Sequence, residues 1–191
     1  TDDVPEIEYQ HQQSRLFDAI ASVCAPDASL FYNHQLRWRD GECLHPISWF
    51  RPADWRLRTE IIWDRGGGMM FNARMFCRFH ESVLWFVRGD KWKWNQDQVG
   101  LGTVWRIGIA QNKEHPVAYP VDLPLRCIIA TTDTGDIVLD PYSGSASTGV
   151  AAVTNGRRYI GIEREPKYFD IACKRIEDAQ RQGDMFIAGA E

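Results

Sequence analysis

The chain has 191 residues, of which 44% are hydrophobic and 12% aromatic, which is enough to bury one sizeable core and short for two. That composition excludes a disordered, collagen-like or coiled-coil protein. The formal net charge of -4 excludes a protein coated in positive charge. We therefore expect a single domain over residues 1–191.

The apolar runs and the cysteines predict where the protein resides. The longest unbroken apolar runs, such as 83–87, are far below the roughly 20 residues that a membrane helix needs. The cysteines form no Cys-x-x-Cys pair, which suits a reducing compartment better than a disulfide framework. They are Cys24, Cys43, Cys77, Cys127 and Cys173. We expect a cytoplasmic protein with no membrane attachment.

The first half of the chain predicts one helix and three strands. Apolar residues at helical spacing predict a helix over 14–24, and a short strand follows at 29–33. Further strands are expected at 57–63 and 82–87. Because the loop between these last two strands contains three consecutive glycines, 66–68, we expect an antiparallel hairpin with a long, glycine-rich tip.

The second half of the chain predicts alternating helices and strands. The expected elements are a helix at 122–131, a strand at 137–139, a helix at 147–154, a strand at 159–162 and a helix at 166–178. The last four of these form one βαβα unit over 137–178. Such a unit predicts an α/β fold with a parallel, doubly wound sheet and a right-handed crossover.

The turn before the helix at 147–154 is a candidate ligand loop. It reads Asp-Pro-Tyr-Ser-Gly-Ser-Ala over 140–146. Its small residues let the backbone approach a ligand, and the helix N-terminus offers free N–H groups. Glu163 lies 19 residues after Gly144, a position from which a carboxylate can bind a ribose hydroxyl in Rossmann-like sites. A ligand containing adenosine is expected.

Two adenosine cofactors fit that loop. Gly144, Ala146 and Gly149 loosely match the dinucleotide fingerprint, and a lone match of this kind is weak evidence for NAD. Asp140, at the carboxyl end of the strand, would repel a pyrophosphate but could pair with the ammonium of a methionine moiety. The loop therefore favours S-adenosylmethionine, and an NAD-binding oxidoreductase is an alternative that cofactor titration separates.

Segments in three regions resemble motifs of the amino-group DNA methyltransferases. The segment 140–152 (Asp-Pro-Tyr-Ser-Gly-Ser-Ala-Ser-Thr-Gly-Val-Ala-Ala), followed by 156–163 (Gly-Arg-Arg-Tyr-Ile-Gly-Ile-Glu), resembles the family's cofactor motif. Segment 114–121 (Glu-His-Pro-Val-Ala-Tyr-Pro-Val) resembles its His-Pro motif, and 63–65 with 80–86 is similar to the hairpin beside its target-base pocket. The order of the motifs is similar to that of the circularly permuted β group of the family.

The resemblance implies a Rossmann-like methyltransferase sheet, doubly wound, with an antiparallel β-hairpin. It also implies transfer of a methyl group from S-adenosylmethionine to the exocyclic amine of a base flipped out of double-stranded DNA, with adenine N6 favoured. Methylation of cytosine N4, and a non-catalytic remnant that binds DNA or cofactor, are the alternatives. A homodimer and a companion restriction enzyme are left open.

The resemblance assigns cofactor contacts mainly to the candidate loop. For the methionine end and the loop these residues are Asp140, Tyr142, Ser143, Gly144, Ser145, Ser147 and Thr148. Glu163 is assigned to the ribose, and His115 with Pro116 to the methionine end. Helix N-capping is the alternative for Ser147 and Thr148, a surface salt bridge for Glu163, and a simple turn role for His115.

The chain departs from the family pattern at three places. Tyr142 stands where the family usually has Phe, and Ala146 where Gly is usual, which we expect to be tolerated only if Ala146 has a negative φ. The family's catalytic tetrapeptide, Asp/Ser/Asn-Pro-Pro-Tyr/Phe/Trp, should precede Ser14 and is absent from these residues. We expect an upstream segment or second fragment to supply it, on a strand between those at 137–139 and 29–33.

The region 35–113 is the expected DNA-recognition region. Residues 35–95 hold eleven basic and seven acidic residues, with seven of the eight tryptophans. Cations interleaved with aromatic rings suit phosphates and exposed bases, and an ordinary solvated face over a Trp-rich core is the alternative. The candidate DNA contacts are Asn72, Arg74, Arg78, His80, Lys91 and Lys93. Cys77 and His80 have no second pair at metal-ligand spacing, so no metal site is expected.

Overall fold

A computed structural model of the chain describes residues 4–50, 52–67, 74, 76–98, 100, 102–109 and 119–188. The chain divides into two compact units. Unit 1 contains Thr1–Lys93 and Gly102–Arg106, and unit 2 contains Trp94–Leu101 and Ile107–Glu191. In the described part of the chain, no helix is both long and apolar enough to cross a membrane.

Unit 1 is built on a four-stranded sheet. Its elements are α1 (Glu6–Val23), β1 (Ser29–His34), β2 (Arg37–Arg39), β3 (Glu42–Leu44), α2 (Pro46–Trp49), β4 (Arg56–Asp64), β5 (His80–Val87) and β6 (Val104–Arg106). The strand order is β1-β5-β4-β6, with β5 antiparallel to both its neighbours and β6 parallel to β4. Strands β2 and β3 form a separate antiparallel pair.

The predicted hairpin is confirmed, because β4 and β5 pair antiparallel with Asp64 opposite His80. Every residue of β5 after His80 is buried, and residues 83–87 of the strand form the continuous apolar run that burial on both faces favours. Phe17 of α1 packs with Leu84 and Phe86 of β5 in the core of the unit. Part of the hairpin tip, 68–73, lies outside the described residues.

Unit 2 has the predicted βαβα order. It contains a short 3-10 helix (Gln96–Gln98), α3 (Asp122–Thr131), β7 (Ile137–Asp140), α4 (Ser147–Thr154), β8 (Arg158–Gly161) and α5 (Pro166–Ala188). Strands β7 and β8 pair in parallel, with Asp140 opposite Gly161. The predicted α/β class and parallel pairing are therefore confirmed.

Small residues let α4 lie close to β8. A Cβ added at Gly149 of α4 would come within 2.7 Å of Cε1 of Tyr159 on β8. Ala151 of α4 also packs in the same hydrophobic core as Ile128 of α3. This packing fixes the start of α4 beside the carboxyl ends of β7 and β8.

Some elements differ from the sequence prediction. Helix α1 begins at Glu6 rather than at residue 14. The prediction missed its first turns because they are mostly polar and show no apolar residues at helical spacing. Those turns are joined by side-chain hydrogen bonds such as Gln10 Nε2 to Glu6 Oε1, at 3.0 Å. The β2–β3 hairpin was not predicted, although Asp40 and Gly41 at its turn have the positive φ values, 51° and 81°, that an Asp-Gly turn favours.

Candidate cofactor site

The loop between β7 and α4 has a left-handed backbone at two positions. Gly144 has φ 52°, and Ala146 has φ 59° and ψ 43°. The expectation of a negative φ at Ala146 is therefore wrong. The turn requires this conformation, because the Ala146 N–H donates to the Ser143 carbonyl at 2.7 Å and its own carbonyl accepts the Val150 N–H of α4 at 2.9 Å.

Asp140 ends β7 and holds the beginning of the loop. Its Oδ1 accepts a hydrogen bond from the Tyr142 N–H at 3.0 Å. Its Oδ2 accepts one from the Tyr119 hydroxyl at 3.1 Å. Both oxygens are thus engaged from different sides, and each keeps further acceptor capacity for a cation.

Tyr119 connects Asp140 to the start of α4. Its hydroxyl lies 2.6 Å from Thr148 Oγ1, and its carbonyl accepts a hydrogen bond from Ser147 Oγ at 2.8 Å. The two hydroxyls that sequence analysis considered as helix caps are therefore bonded to Tyr119. Burial, together with the negative charge of Asp140, raises the pKa of the Tyr119 phenol well above its usual range, so the phenol keeps its proton and acts as a hydrogen-bond donor.

Glu163 lies just after β8 and bonds to the middle of the loop. Its Oε2 accepts the Gly144 N–H at 2.8 Å, and its Oε1 accepts the Glu165 N–H at 2.8 Å. Gly144 and Glu163, which are 19 residues apart in the sequence, are thus in direct contact. The carboxylate of Glu163 is therefore the acceptor for an N–H group of the loop.

Two further side chains, from β8 and α5, form hydrogen bonds with the loop. The Ser143 hydroxyl lies 2.8 Å from the hydroxyl of Tyr159 on β8. Arg175 of α5 donates to the Ser145 hydroxyl at 2.9 Å and also to the Ser145 carbonyl. Ser143 and Ser145 are both buried, so these bonds satisfy polar groups that have little access to water.

The structure brings most of the predicted cofactor residues together in unit 2. Asp140, Tyr142, Ser143, Gly144, Ser145, Ser147, Thr148 and Glu163 lie on or beside one loop. Tyr142 is 67% exposed, so its ring is accessible to a ligand. His115 and Pro116 lie outside the described residues.

Sequence analysis missed Tyr119, Tyr159 and Arg175 as parts of this site. Tyr119 stands in the His-Pro segment, four residues after His115, and that proximity was the one signal for it. Tyr159 and Arg175 contact the loop through packing of β8 and α5 against it. Tyr159 stands in the segment 156–163 that resembles the cofactor motif, whereas no local pattern points to Arg175.

The candidate DNA residues lie in unit 1 in differing environments. Arg78 donates to the Leu36 carbonyl at 2.9 Å, and its guanidinium lies 5.7 Å from the centre of the Trp38 ring. Lys91, Arg74 and His80 are exposed, and Lys93 is half-buried. Asn72 lies outside the described residues.

Glu81, next to His80, is a buried carboxylate with several donors. Its oxygens accept hydrogen bonds from Asn33 Nδ2 at 3.0 Å, Gln35 Nε2 at 2.8 Å and Arg65 Nη1 at 3.0 Å. Arg65 also donates to the Arg78 carbonyl at 3.1 Å. This network joins the end of β1 to both strands of the hairpin, and so fixes the base of the glycine-rich tip.

Comparison with known proteins identifies the family. Residues 6–174 match the model of the N6_N4_Mtase family, described as DNA methylase. Because the match covers most of the chain, the chain belongs to this family of DNA methylases.

Individual relatives agree with that assignment. The type II methyltransferase M.HinfI of Haemophilus influenzae is 32% identical over 146 residues, which cover 65% of this chain and 40% of that protein. The chain spans between 40% and 61% of the length of three curated relatives that it matches.

Solved structures agree with the fold. The crystal structure of an M1.HpyAVI–SAM complex matches with a TM-score of 0.69 at 26% identity, over 85% of this chain and 81% of that chain. The PvuII DNA methyltransferase, described as cytosine-N4-specific, matches with a TM-score of 0.74 at 21% identity, over 91% of this chain and 77% of that chain. The second likeness shows the fold alone.

The left-handed Ala146 gives a test of the loop geometry. A left-handed conformation costs a residue with a Cβ about 1–2 kcal/mol, and glycine loses somewhat more chain entropy on folding. We therefore expect Ala146→Gly to leave the free energy of unfolding unchanged or to raise it by up to about 1 kcal/mol, as measured by urea denaturation.

Ala152→Gly is the matched control, because Ala152 is equally buried but lies within α4. That substitution should lower the free energy of unfolding by about 1 kcal/mol or more. A comparable loss for Ala146→Gly would contradict the left-handed geometry.

Proposed function

We propose that the chain binds S-adenosylmethionine at the loop between β7 and α4 and belongs to an enzyme that methylates an exocyclic amine of DNA. The proposal is carried by the position of two carboxylates, Asp140 and Glu163, at the ends of neighbouring parallel strands on either side of a loop of small residues. This edge of a parallel sheet is where open α/β folds bind ligands.

The charges at the loop fit the two ends of this cofactor. Asp140 carries a negative charge that would attract the ammonium of the methionine moiety and repel a pyrophosphate, which favours S-adenosylmethionine over NAD. Glu163 lies just after β8, on the other side of the loop, where its carboxylate can accept hydrogen bonds. A ribose supplies hydroxyl donors for such a carboxylate.

The remaining loop residues are proposed to shape the site. The exposed ring of Tyr142 offers a face for the adenine, and Ser143, Gly144 and Ser145 let the backbone approach the ligand. Ser147 and Thr148 act through Tyr119, which they hold in place. His115 and Pro116 are proposed to contact the methionine end, as the resemblance of their segment implies.

The acceptor amine needs help from the protein in this proposal. Bound S-adenosylmethionine supplies an electrophilic methyl group on a sulfonium centre. An exocyclic amine is a poor nucleophile, because its lone pair is delocalised into the ring. The amine would donate hydrogen bonds to the side chain and backbone carbonyl of the tetrapeptide expected upstream of Ser14, and these bonds would localise its lone pair and orient it. Neither a metal nor a covalent enzyme intermediate is required.

The two carboxylates give the most direct test of cofactor binding. Asp140→Asn and Glu163→Gln should each weaken the binding of S-adenosylhomocysteine by about 1–3 kcal/mol, because each removes a charged hydrogen-bond acceptor. Isothermal titration measures this change. Glu165→Gln is the control, because it removes a neighbouring exposed charge and should leave the affinity unchanged. Wild-type affinity in both site variants would contradict the assignment of Asp140 and Glu163 to the cofactor site.

DNA binding is proposed to involve the basic region of unit 1. Lys91 is exposed and would neutralise one phosphate. Lys91→Ala should therefore make the negative slope of log affinity against log salt shallower by about 0.9. Fluorescence anisotropy with duplex DNA over a salt series measures this slope. Lys174→Ala, which removes an exposed lysine of α5, is the control. An equal slope for wild type and Lys91→Ala would contradict a phosphate contact.

The target amine is proposed to be adenine N6, with cytosine N4 as the alternative that the same chemistry accommodates. Duplex DNA treated with the full-length gene product and labelled cofactor can be digested to nucleosides and analysed by mass spectrometry. The proposal predicts N6-methyladenine. N4-methylcytosine would overturn the choice of base, and the lack of either product would overturn the proposed activity.

A further inference from the structure

The Tyr119 hydroxyl lies between two oxygen atoms and has only one proton to donate. Asp140 Oδ2 is 3.1 Å away and Thr148 Oγ1 is 2.6 Å away. An ionised carboxylate is an acceptor only, whereas a threonine hydroxyl can donate or accept. The bonds therefore have one consistent direction, in which Thr148 donates to Tyr119 and Tyr119 donates to Asp140.

Tyr119 is itself held through both its backbone carbonyl and its side-chain hydroxyl. Ser147 Oγ donates to its carbonyl at 2.8 Å, while Thr148 bonds to its hydroxyl. Both partners belong to the first turn of α4, whose start is fixed against β8 by Gly149. The position of the phenol is thus set by the helix that follows the cofactor loop.

The orientation of Asp140 depends on this phenol. The terminal torsion of an aspartate is broad and has no strong preference of its own. The Tyr142 N–H holds Oδ1, and the Tyr119 hydroxyl holds Oδ2. Without the phenol hydroxyl, Oδ2 loses this donor, and the bond from the Tyr142 N–H to Oδ1 restrains the carboxylate less well than two bonds do.

We propose that Tyr119 is a positioning residue that orients Asp140 toward the ammonium group of S-adenosylmethionine. The inference rests on the proposed function, because it assumes that Asp140 binds that group. It predicts that the Tyr119 hydroxyl contributes only to ligands that carry the amino-acid moiety. A phenol that merely supports the fold of the loop would contribute equally to any adenosine ligand.

Two ligands separate these roles. S-adenosylhomocysteine has the ammonium, whereas 5′-methylthioadenosine has the adenosine and the thioether without the amino acid. For Tyr119→Phe, the Kd of S-adenosylhomocysteine should rise about tenfold, as expected when a hydrogen bond to a charged group is lost. The Kd of 5′-methylthioadenosine should change by less than about twofold.

Tyr159→Phe is the matched control. It removes another partly buried phenol hydroxyl at the same loop, one that bonds to Ser143 rather than to Asp140. Any effect of this substitution should be equal for the two ligands. Thermal unfolding of each variant checks that the chain remains folded.

A double-mutant cycle tests whether the effect of the Tyr119 hydroxyl depends on Asp140. In the Asp140→Asn background, Tyr119→Phe should no longer change the affinity for S-adenosylhomocysteine, because the carboxylate that it orients is gone. Equal losses for both ligands, no loss for either ligand, or the same loss in the Asp140→Asn background would overturn the proposal. Failure of the wild-type chain to bind S-adenosylhomocysteine would instead overturn the proposed function itself, and this inference with it.

Discussion

The parallel pairing of β7 with β8 is the constraint on which the candidate site depends. Two parallel strands end at the same edge of their sheet, so the chain must return through α4 to begin the second one. This connection places Asp140 and Glu163 at one edge, with the loop between them. The loop residues Ser143, Ser145 and Ala146 are buried, so their polar groups need partners inside the protein.

The same carboxylates therefore have two roles in this account. Each accepts a loop N–H, with Asp140 bonded to Tyr142 and Glu163 bonded to Gly144. Each is also proposed to bind a ligand, because a carboxylate oxygen can accept more than one hydrogen bond. The shape of the loop and the electrostatics of the site are consequently coupled. For this reason, variants that keep a hydrogen-bond acceptor, such as Gln for Glu, test binding more cleanly than alanine does.

Sequence analysis could predict the parts of unit 2 that depend on local signals. The bounds of α3 and α4 agree with the prediction, because apolar runs there are delimited by turn residues. The spacing of a βαβ unit indicated Glu163 as a residue of the site, but its hydrogen bond to the Gly144 N–H was not predicted. The contact of Tyr119 with Asp140 joins residues 21 apart through tertiary packing, so no local pattern reveals it. The positive φ of Ala146 was missed because alanine rarely adopts it, and the hydrogen bonds of the turn override that preference.

A crystal structure of the chain with S-adenosylhomocysteine is the most direct test of the central claim, that Asp140 and Glu163 hold opposite ends of the cofactor. The account predicts the ammonium nitrogen within hydrogen-bond distance of the Asp140 carboxylate, and a ribose hydroxyl within that distance of Glu163. A ligand bound in the reverse direction, or bound away from the loop between β7 and α4, would contradict it.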